Sequence, residues 1–511
     1  MDIFAFVLYF VAMLAIGVFF FLKSKNVSEK DYFLGGRAMG PWVTAMSAQA
    51  SDMSAWLLMG LPGSILAFGF GQAWIGIGLA IGTAANWILV AKRLRKFSRA
   101  AGDSITLPQY LSNRFASKSH AVSVICAVVF LVCFTIYVAS AFVAGADVFT
   151  TLIPKLARTD AMMIFAAIVV IYTFLGGFNA VCWTDFFQGL LMLAAILIVP
   201  LVIGFTRELA PLALSTVYKG PSGEEFKFVA NFFNASWQDI ASGLGWGLGY
   251  FGMPHIIVRF MAIEKPSMVK KSATVAIIWV VLSLAATIVI GYLGRMFVYS
   301  NGVDLSEVLL ATGSQSLIFV ELARDVFPSF IAGLLLAAII AASMSTADSQ
   351  LLVAASSFSS DLYKPIIRKN ASNREMLWVS RIIVLVIAVV AYFIASSEGE
   401  AAQAIMNLVS NAWGIFGAAF GPAVLLSLFW KRFTYKGAVA GIVVGALVDM
   451  LWLWLPVSGG AALTAVTGVY EIIPGFILGG LAAIAVTLLD KKPSAEVEAI
   501  FERATDNSID D

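Results

Sequence analysis

The chain has 511 residues, 60% of them hydrophobic and only 13% charged, a balance that leaves too little polar surface for a soluble domain and points to a lipid bilayer as its surroundings. A net charge of +2 offers no basic surface for nucleic acid, and the three cysteines (Cys126, Cys133, Cys182) lie inside apolar runs, which excludes a disulfide framework.

A hydrocarbon core of about 30 Å needs roughly 20 apolar residues per helix. That criterion predicts an all-α integral membrane protein with thirteen spans, near 3–23, 39–68, 70–91, 119–151, 160–178, 180–206, 236–262, 270–298, 316–357, 375–396, 400–430, 434–456 and 469–489. The first run opens with Asp2 and no basic residue, unlike a secretory signal, so it reads as a retained span. With the N-terminus outside, 26 of the 33 Lys and Arg fall on loops and span ends that would be cytoplasmic, which predicts an outward N-terminus and a cytoplasmic tail over 490–511. The polar stretches 92–118, 206–235 and 298–316 are loop-sized, so residues 1–511 are expected to form one transmembrane domain. No obligate protein partner is evident.

Two spans look interrupted. In TAMSAQASDMSAWLLMG (44–60) the side chains of Ser47, Gln49, Ser51, Asp52 and Ser54 compete for backbone hydrogen bonds, and Pro62 and Gly63 follow. In SGLGWGLGYFGMPH (242–255) five glycines lower helix propensity and Pro254 removes a donor. The two stretches lie five spans apart. If 39–206 and 236–430 are five-helix repeats, each opens with a broken helix and the two have opposite topology, the arrangement of inverted-repeat transporters with a midplane site at the breaks. Residues 1–38 then form a preceding helix and loop, and 434–489 two additional helices. Close helix packing is the alternative reading of the glycine run.

The charged side chains singled out within the spans are Asp52, Asp147, Asp185, Arg259, Asp348 and Asp449. Asp147, Arg259 and Asp449 sit toward span ends, where snorkelling or interfacial pairing is the default. Asp52, Asp185 and Asp348 are deep, and a deep carboxylate with no adjacent Lys or Arg marks a candidate functional site. In AAIIAASMSTADSQ (337–350), Ser345, Asp348 and Ser349 share one helix face beside Thr346 and the Ala342 carbonyl, an oxygen-rich set suited to a hard cation. Two histidines alone, His120 and His255, argue against a transition metal. Trp56, Tyr137, Trp246 and Tyr250 cluster near the breaks and could wall a small organic solute.

With these residues in view, the sequence resembles the sodium/solute symporter family, and within it the proline-transporting members, over nearly its whole length. The matching stretches are DYFLGGR (31–37), SAQASDMSAWLLMGLPG (47–63), FTIYVAS (134–140), GGFNAVCWTD (176–185), GWGLGYFGMPHIIVRFM (245–261), MST (344–346) and YEIIPGF (470–476). The resemblance implies a LeuT-like core of ten helices with one helix before it and two after. It implies a sodium site made of the carbonyls of Ala50, Met53 and Ala342 with the hydroxyls of Ser345 and Thr346, and Asp52 as the carboxylate needed for sodium coupling. It also implies a solute site drawn from Ser54, Trp56, Tyr137, Trp246, Tyr250 and Pro254. Two positions depart from the family pattern: Ala55 replaces a glycine, and Asp348 replaces a hydroxyl. Asp185, Asp348 and Ser349 match a possible second cation site.

The reading is a sodium-coupled symporter, not an enzyme, that imports L-proline by alternating access across a bacterial cytoplasmic membrane, with sodium, proline and lipid as its partners. The alternatives are sodium or proton coupling to another small amino acid or organic solute, a channel, or a sensor. A sensor would need a signalling domain, and an intramembrane enzyme would need a nucleophile paired with a base, which the residues do not offer.

Overall fold

Apolar runs long enough to cross a bilayer must pair their own backbone groups, so they fold as helices. The computed structural model describes residues 2–23, 28–175, 177–215, 217–219, 225–226, 228–302, 314–397, 403–457 and 460–506. Within them the chain is helical apart from isolated bridges and a hairpin of two short strands, β1 (Tyr218–Lys219) and β2 (Glu225–Phe226). Gly176 of the GGFNAVCWTD stretch, the loop segments 24–27 and 303–313, the first residues (400–402) of one expected span and the end of the tail (507–511) lie outside the described residues.

The main helices are α1 (Asp2–Lys23), α2 (Pro41–Asp52), α3 (Leu61–Phe68), α4 (Ala73–Ala100), α5 (Ala121–Leu152), α6 (Arg158–Leu175) and α7 (Phe178–Thr206). They continue with α8 (Trp237–Gly245), α9 (Pro254–Ala262), α10 (Val269–Ser300), α11 (Ser329–Ile367), α12 (Asn373–Ser397), α13 (Gln403–Phe429), α14 (Tyr435–Trp454), α15 (Ile472–Leu489) and α16 (Ala495–Thr505). Ten of the described helices are long and apolar enough to cross a membrane: α1, α4, α5, α7 and α10 to α15. The most apolar windows of α11 and α13 are each 83% buried, against 28% for α1, α12 and α15, so α11 and α13 are central and the others peripheral. Ile3, Phe4, Val7 and Val11 of α1 and Ile382, Val386, Val389 and Phe393 of α12 face outward, as lipid contact requires.

One expected span is redrawn. The run 316–357 is not one helix: a short helix, Ile318–Val326, stops before Phe327 (φ −107°, ψ 148°), because Pro328 disfavours helical backbone at the residue preceding it. The long helix starts at Ser329 and runs to Ile367, ten residues past the expected end, through wide turns that accommodate Pro365.

Both predicted interruptions are present. α2 ends at Asp52; Met53 leaves the helix (φ −84°, ψ 76°), the Ser54 N–H bonds the Asp52 carbonyl, and the Ser54 hydroxyl accepts from the Trp56 N–H at 3.2 Å before wide turns over Trp56–Gly60 lead into α3. Ala55 has φ −50° and ψ −21°, open to any L-residue, so the backbone there accommodates its methyl group. In the second interruption, α8 passes into tight turns over Trp246–Phe251, and the helix is broken only at Gly252 and Met253, the latter at φ −79° and ψ 107°.

The glycine run itself stays wound, and its glycines serve packing. A Cβ on Gly249 would lie 1.9 Å from the Trp413 indole nitrogen on α13, which is held in place by donating to the Trp246 carbonyl at 2.8 Å. Gly249→Ala must therefore displace Trp413, and overpacking of this kind costs about 1–3 kcal/mol. A thermal melt of the purified variant is expected to show a clearly lowered transition; an unchanged melt would contradict the tight contact.

Candidate functional site

The two breaks face each other beside the middle of α11. The Tyr250 hydroxyl donates to Asp52 Oδ2 at 2.5 Å, joining the second interruption to the end of α2. His255 Nε2 lies 3.1 Å from the Ser51 carbonyl, which can only accept, so that nitrogen carries the ring proton and ties the start of α9 to the same break. From α11, Ser345 Oγ donates to the Ala50 carbonyl at 2.7 Å and lies 3.2 Å from the Ala342 carbonyl. One residue on, the Thr346 hydroxyl is buried with no partner. Three of the five oxygens expected to hold an ion, those of Ala50, Ala342 and Ser345, are thus together, and Thr346 supplies an unsatisfied one next to them. Met53, the residue that carries the fifth, is the one that leaves the helix. A buried cluster of carbonyl and hydroxyl oxygens with an unpartnered hydroxyl beside it suits a hard cation.

Above this cluster stands an aromatic wall. Trp246 stacks on Trp56 (ring centroids 5.5 Å apart) and on Tyr470 (5.1 Å), while Trp413 meets Tyr250 edge-on at 5.1 Å. Tyr137 on α5 faces Ser54 and Asp52, and the Asn86 side chain donates to the Tyr250 carbonyl at 3.0 Å. Ser54, Trp56, Tyr137, Trp246 and Tyr250 are all buried. Pro254 occupies the first turn of α9, where its missing N–H is not needed, so its evident part is to start that helix. Trp246 also forms the floor of a cavity of about 440 Å³, walled by Asp239, Ser242, Ser410, Thr464 and Glu471 among others.

The deep carboxylates beyond the break are arranged differently from the expectation. Arg259 does not snorkel: it is 1% exposed, its Nη2 pairs with Asp185 Oδ2 at 3.1 Å and donates to Ser349 Oγ at 2.5 Å, and its Nε donates to Ser47 Oγ at 3.0 Å. Ser47 in turn donates to Asp185 Oδ2 at 2.7 Å, and Ser349 to Asp348 Oδ1 at 3.3 Å. Asp185 therefore has a guanidinium partner that sequence adjacency did not reveal, since α9 and α7 are far apart in the chain. Asp185, Asp348 and Ser349 do come together, with the arginine among them; Asp185 Oδ1 and Asp348 Oδ2 remain without partners. Asp147 behaves as expected at a span end, pairing with Arg158 at 3.1 Å.

At the end away from the cavity, Arg37 of the DYFLGGR stretch ties the end of α9 to the last turn of α4 and the residues that follow it. Its Nη1 donates to the Met261 carbonyl and to Ser98 Oγ (3.1 Å), its Nη2 to the Ser104 carbonyl (2.8 Å) and its Nε to Asp103 Oδ1 (2.8 Å). Lys30 also binds Asp103. Partial burial pushes the Asp103 carboxyl upward, but Lys30 and Arg37 prevail and hold it below the usual carboxylate range.

Residue types alone did not single out His255, Trp413, Tyr470 or Asn86. His255 had a visible signal, standing next to Pro254 at the break; the others enter through packing that periodicity does not encode. Arg295 and Glu471, both buried, were also passed over.

A model of the sodium:solute symporter family matches residues 32–445. The chain is 41% identical over 507 residues to the sodium/proline symporter of Salmonella typhimurium, covering 98% of this chain and 95% of that one. It is 42% identical over 489 residues to the high-affinity proline transporter PutP of Bacillus subtilis, covering 96% and 98% respectively. Among solved structures, a Na+-coupled sialic acid symporter in a substrate-bound outward-open state superposes with a TM-score of 0.77 at 20% identity, over 96% of this chain and 98% of that one, a likeness of fold. An oxygen cluster at a broken helix, an aromatic wall beside it and full-length likeness to transporters lead to one conclusion: the chain belongs to the sodium:solute symporter family, whose members carry solutes and are not enzymes.

Proposed function

We propose that this chain is a sodium-coupled secondary active symporter that imports L-proline by alternating access. The observation that carries the reading is the meeting of the α2 break, the α9 break and α11 around the buried Ala50 and Ala342 carbonyls and the Ser345 hydroxyl, beside the unpartnered Thr346 Oγ1. Sodium, the co-transported ion, would be held by the Ala50, Met53 and Ala342 carbonyls with Ser345 and Thr346. Because Ala50 lies in the last turn of α2, Met53 at the break and Ala342 on α11, the ion would fix the backbone on which Ser54, Trp56 and Asp52 are mounted. Coupling follows: sodium favours the solute-competent shape, and by reciprocity the solute tightens sodium. One charge crossing 100 mV releases about 2.3 kcal/mol, roughly a fifty-fold concentration ratio before the sodium gradient is added.

Proline suits the space beside the break: a compact zwitterion whose apolar ring can lie against Trp56, Tyr137, Trp246 and Tyr250 while its carboxylate meets donors at a helix end. The likeness to proline transporters supports this choice of solute. With the two interrupted helices and α6 added to the ten long ones, the chain would cross the membrane thirteen times, with residues 39–206 and 236–430 as inverted LeuT-like repeats and α14 and α15 after them. The Lys and Arg bias supports an outward N-terminus in a bacterial cytoplasmic membrane, which puts the cavity outside and the Arg37 clamp inside.

A second ion beside Asp185 is not needed in this account. The Arg259 guanidinium already neutralises one of the two carboxylates, so we read one sodium per solute, with Asp348 held by Ser349.

Removing the Ser345 or Thr346 hydroxyl takes one ligand from a charged partner, worth about 1.5–3 kcal/mol. Ser345→Ala and Thr346→Ala are each expected to raise the half-saturating sodium concentration about tenfold or more, with maximal uptake at saturating sodium less affected. Sodium-activation curves check this. The function itself is tested by binding of an amino-acid panel to purified protein, with choline replacing sodium at fixed pH: proline should bind best and only with sodium, and unchanged binding in choline would exclude sodium coupling.

A further inference from the structure

The outer cavity has a wall that the transport site leaves unused. Asp449, toward the outer end of α14, and Glu471, just before α15, are both buried. Glu471 lines the cavity, and its Oε2 accepts from the Thr464 hydroxyl at 3.3 Å. Asp449 lies behind it, fully buried, and neither of its oxygens has a hydrogen-bond partner. The two side chains converge on Gly414 of α13. A Cβ built there would lie 3.0 Å from Asp449 Oδ2, 3.4 Å from Asp449 Oδ1 and 3.4 Å from Glu471 Cγ, so the absent side chain leaves a small cradle bounded by both Asp449 oxygens and the Glu471 stem.

Among the described residues the surroundings offer no protein cation. The titratable groups facing Asp449 are Glu471 and Tyr470, ahead of α15, and Cys133 on α5, all neutral or anionic in kind. Among the described residues no Lys, Arg or His forms an ion pair with either carboxylate. An ionised carboxylate buried without a partner is strongly unfavourable, and a neutral one would keep an O–H that makes no hydrogen bond in the observed arrangement. Both forms call for a ligand that the protein does not supply.

We propose that Asp449 and Glu471 hold a single sodium ion in the cavity wall, separate from the ion at the α2 break. Oxygen ligands select a hard cation, and the enclosed position favours a monovalent one, because the cost of dehydration rises steeply with ionic charge. The position has a structural consequence. Tyr470, which stacks on Trp246, directly precedes Glu471 and donates to the Ser410 carbonyl at 2.7 Å, so the ion sits at the base of the segment that covers the aromatic floor.

The test is equilibrium binding of radioactive sodium to the purified full-length protein without solute, in a Ser345→Ala/Thr346→Ala background that disables the central site. Residual sodium binding is expected there, and it should weaken at least tenfold on adding either Asp449→Asn or Gly414→Ala. The second substitution keeps both charges and fills the cradle, so it separates occupancy from charge; Glu471→Gln provides a further variant should Asp449→Asn fail to fold. Absence of residual binding, or residual binding indifferent to Gly414→Ala and Asp449→Asn, would overturn the proposal. So would displacement of sodium by micromolar calcium, which would make the site divalent, or a response of the pair to pH alone, which would make it a shared-proton site.

Discussion

Asparagine at position 52 is expected to weaken sodium activation of transport about a hundredfold while leaving the protein folded. Asp52 is the last residue of α2, buried, with one oxygen engaged by the Tyr250 hydroxyl. An amide oxygen can accept the same hydrogen bond, so the substitution removes charge and little else. In the proposed site the carboxylate stands near the ion without being one of its ligands. At roughly 5 Å and an effective dielectric constant near 20, such a pair attracts by about 3 kcal/mol, which corresponds to about two orders of magnitude in affinity. Folding should not suffer, because a buried amide is easier to desolvate than a buried carboxylate. Sodium titration of uptake together with a thermal melt separates the two effects. Normal sodium activation in Asp52→Asn would refute the assigned role.

Arg259→Met is expected to lower stability severely. It leaves Asp185 in the interior with Ser47 as its hydrogen-bond partner, and it removes donors to Ser47, Ser349 and the His255 carbonyl together. Breaking one side of a buried ion pair costs about 3–5 kcal/mol, because the remaining charge is uncompensated. The guanidinium also lies over the Phe178 ring at 5.5 Å, so lysine would not restore the contact set. The diagnostic comparison is with the double variant Arg259→Met/Asp185→Leu. Replacing both members of a buried pair by apolar groups is often neutral, so the double variant should recover most of the lost thermal stability. Equal stability of the single and double variants would show that the pair does not hold α9 to α7.

These two residues also mark what the sequence could and could not disclose. The α2 break was legible because its cause is local: hydroxyls, an amide and a carboxylate inside an apolar run compete with the helix, and Asp52 advertises itself by depth. The second interruption was legible in position but not in cause. Five glycines suggested unwinding, whereas the chain stays wound through Gly249 and opens only at Gly252 and Met253, because the missing side chains are used for close approach, Gly243 to Trp74, Gly245 to Ile473, Gly247 to Gly78 and Gly249 to Trp413. The start of α11 was readable in principle, since Pro328 lies in plain view, yet the surrounding apolar run hid it. Arg259 could not be assigned from spacing: its partner Asp185 is 74 positions away, and only the packing of α9 against α7 brings them together. The ligand set at Ala50, Met53, Ala342, Ser345 and Thr346 came from family resemblance rather than periodicity. What the fold adds is the convergence of Ala50, Ala342 and Ser345 and the unsatisfied hydroxyl of Thr346.

The most direct measurement is uptake of labelled L-proline into sealed proteoliposomes containing the purified protein, under an inward sodium gradient, under equal sodium on both sides, and in choline. The account predicts transient accumulation above equilibrium only when the sodium gradient is present, collapsing when sodium is equalised. Accumulation that is the same in choline, or sodium-driven uptake of some other solute with proline ignored, would contradict it.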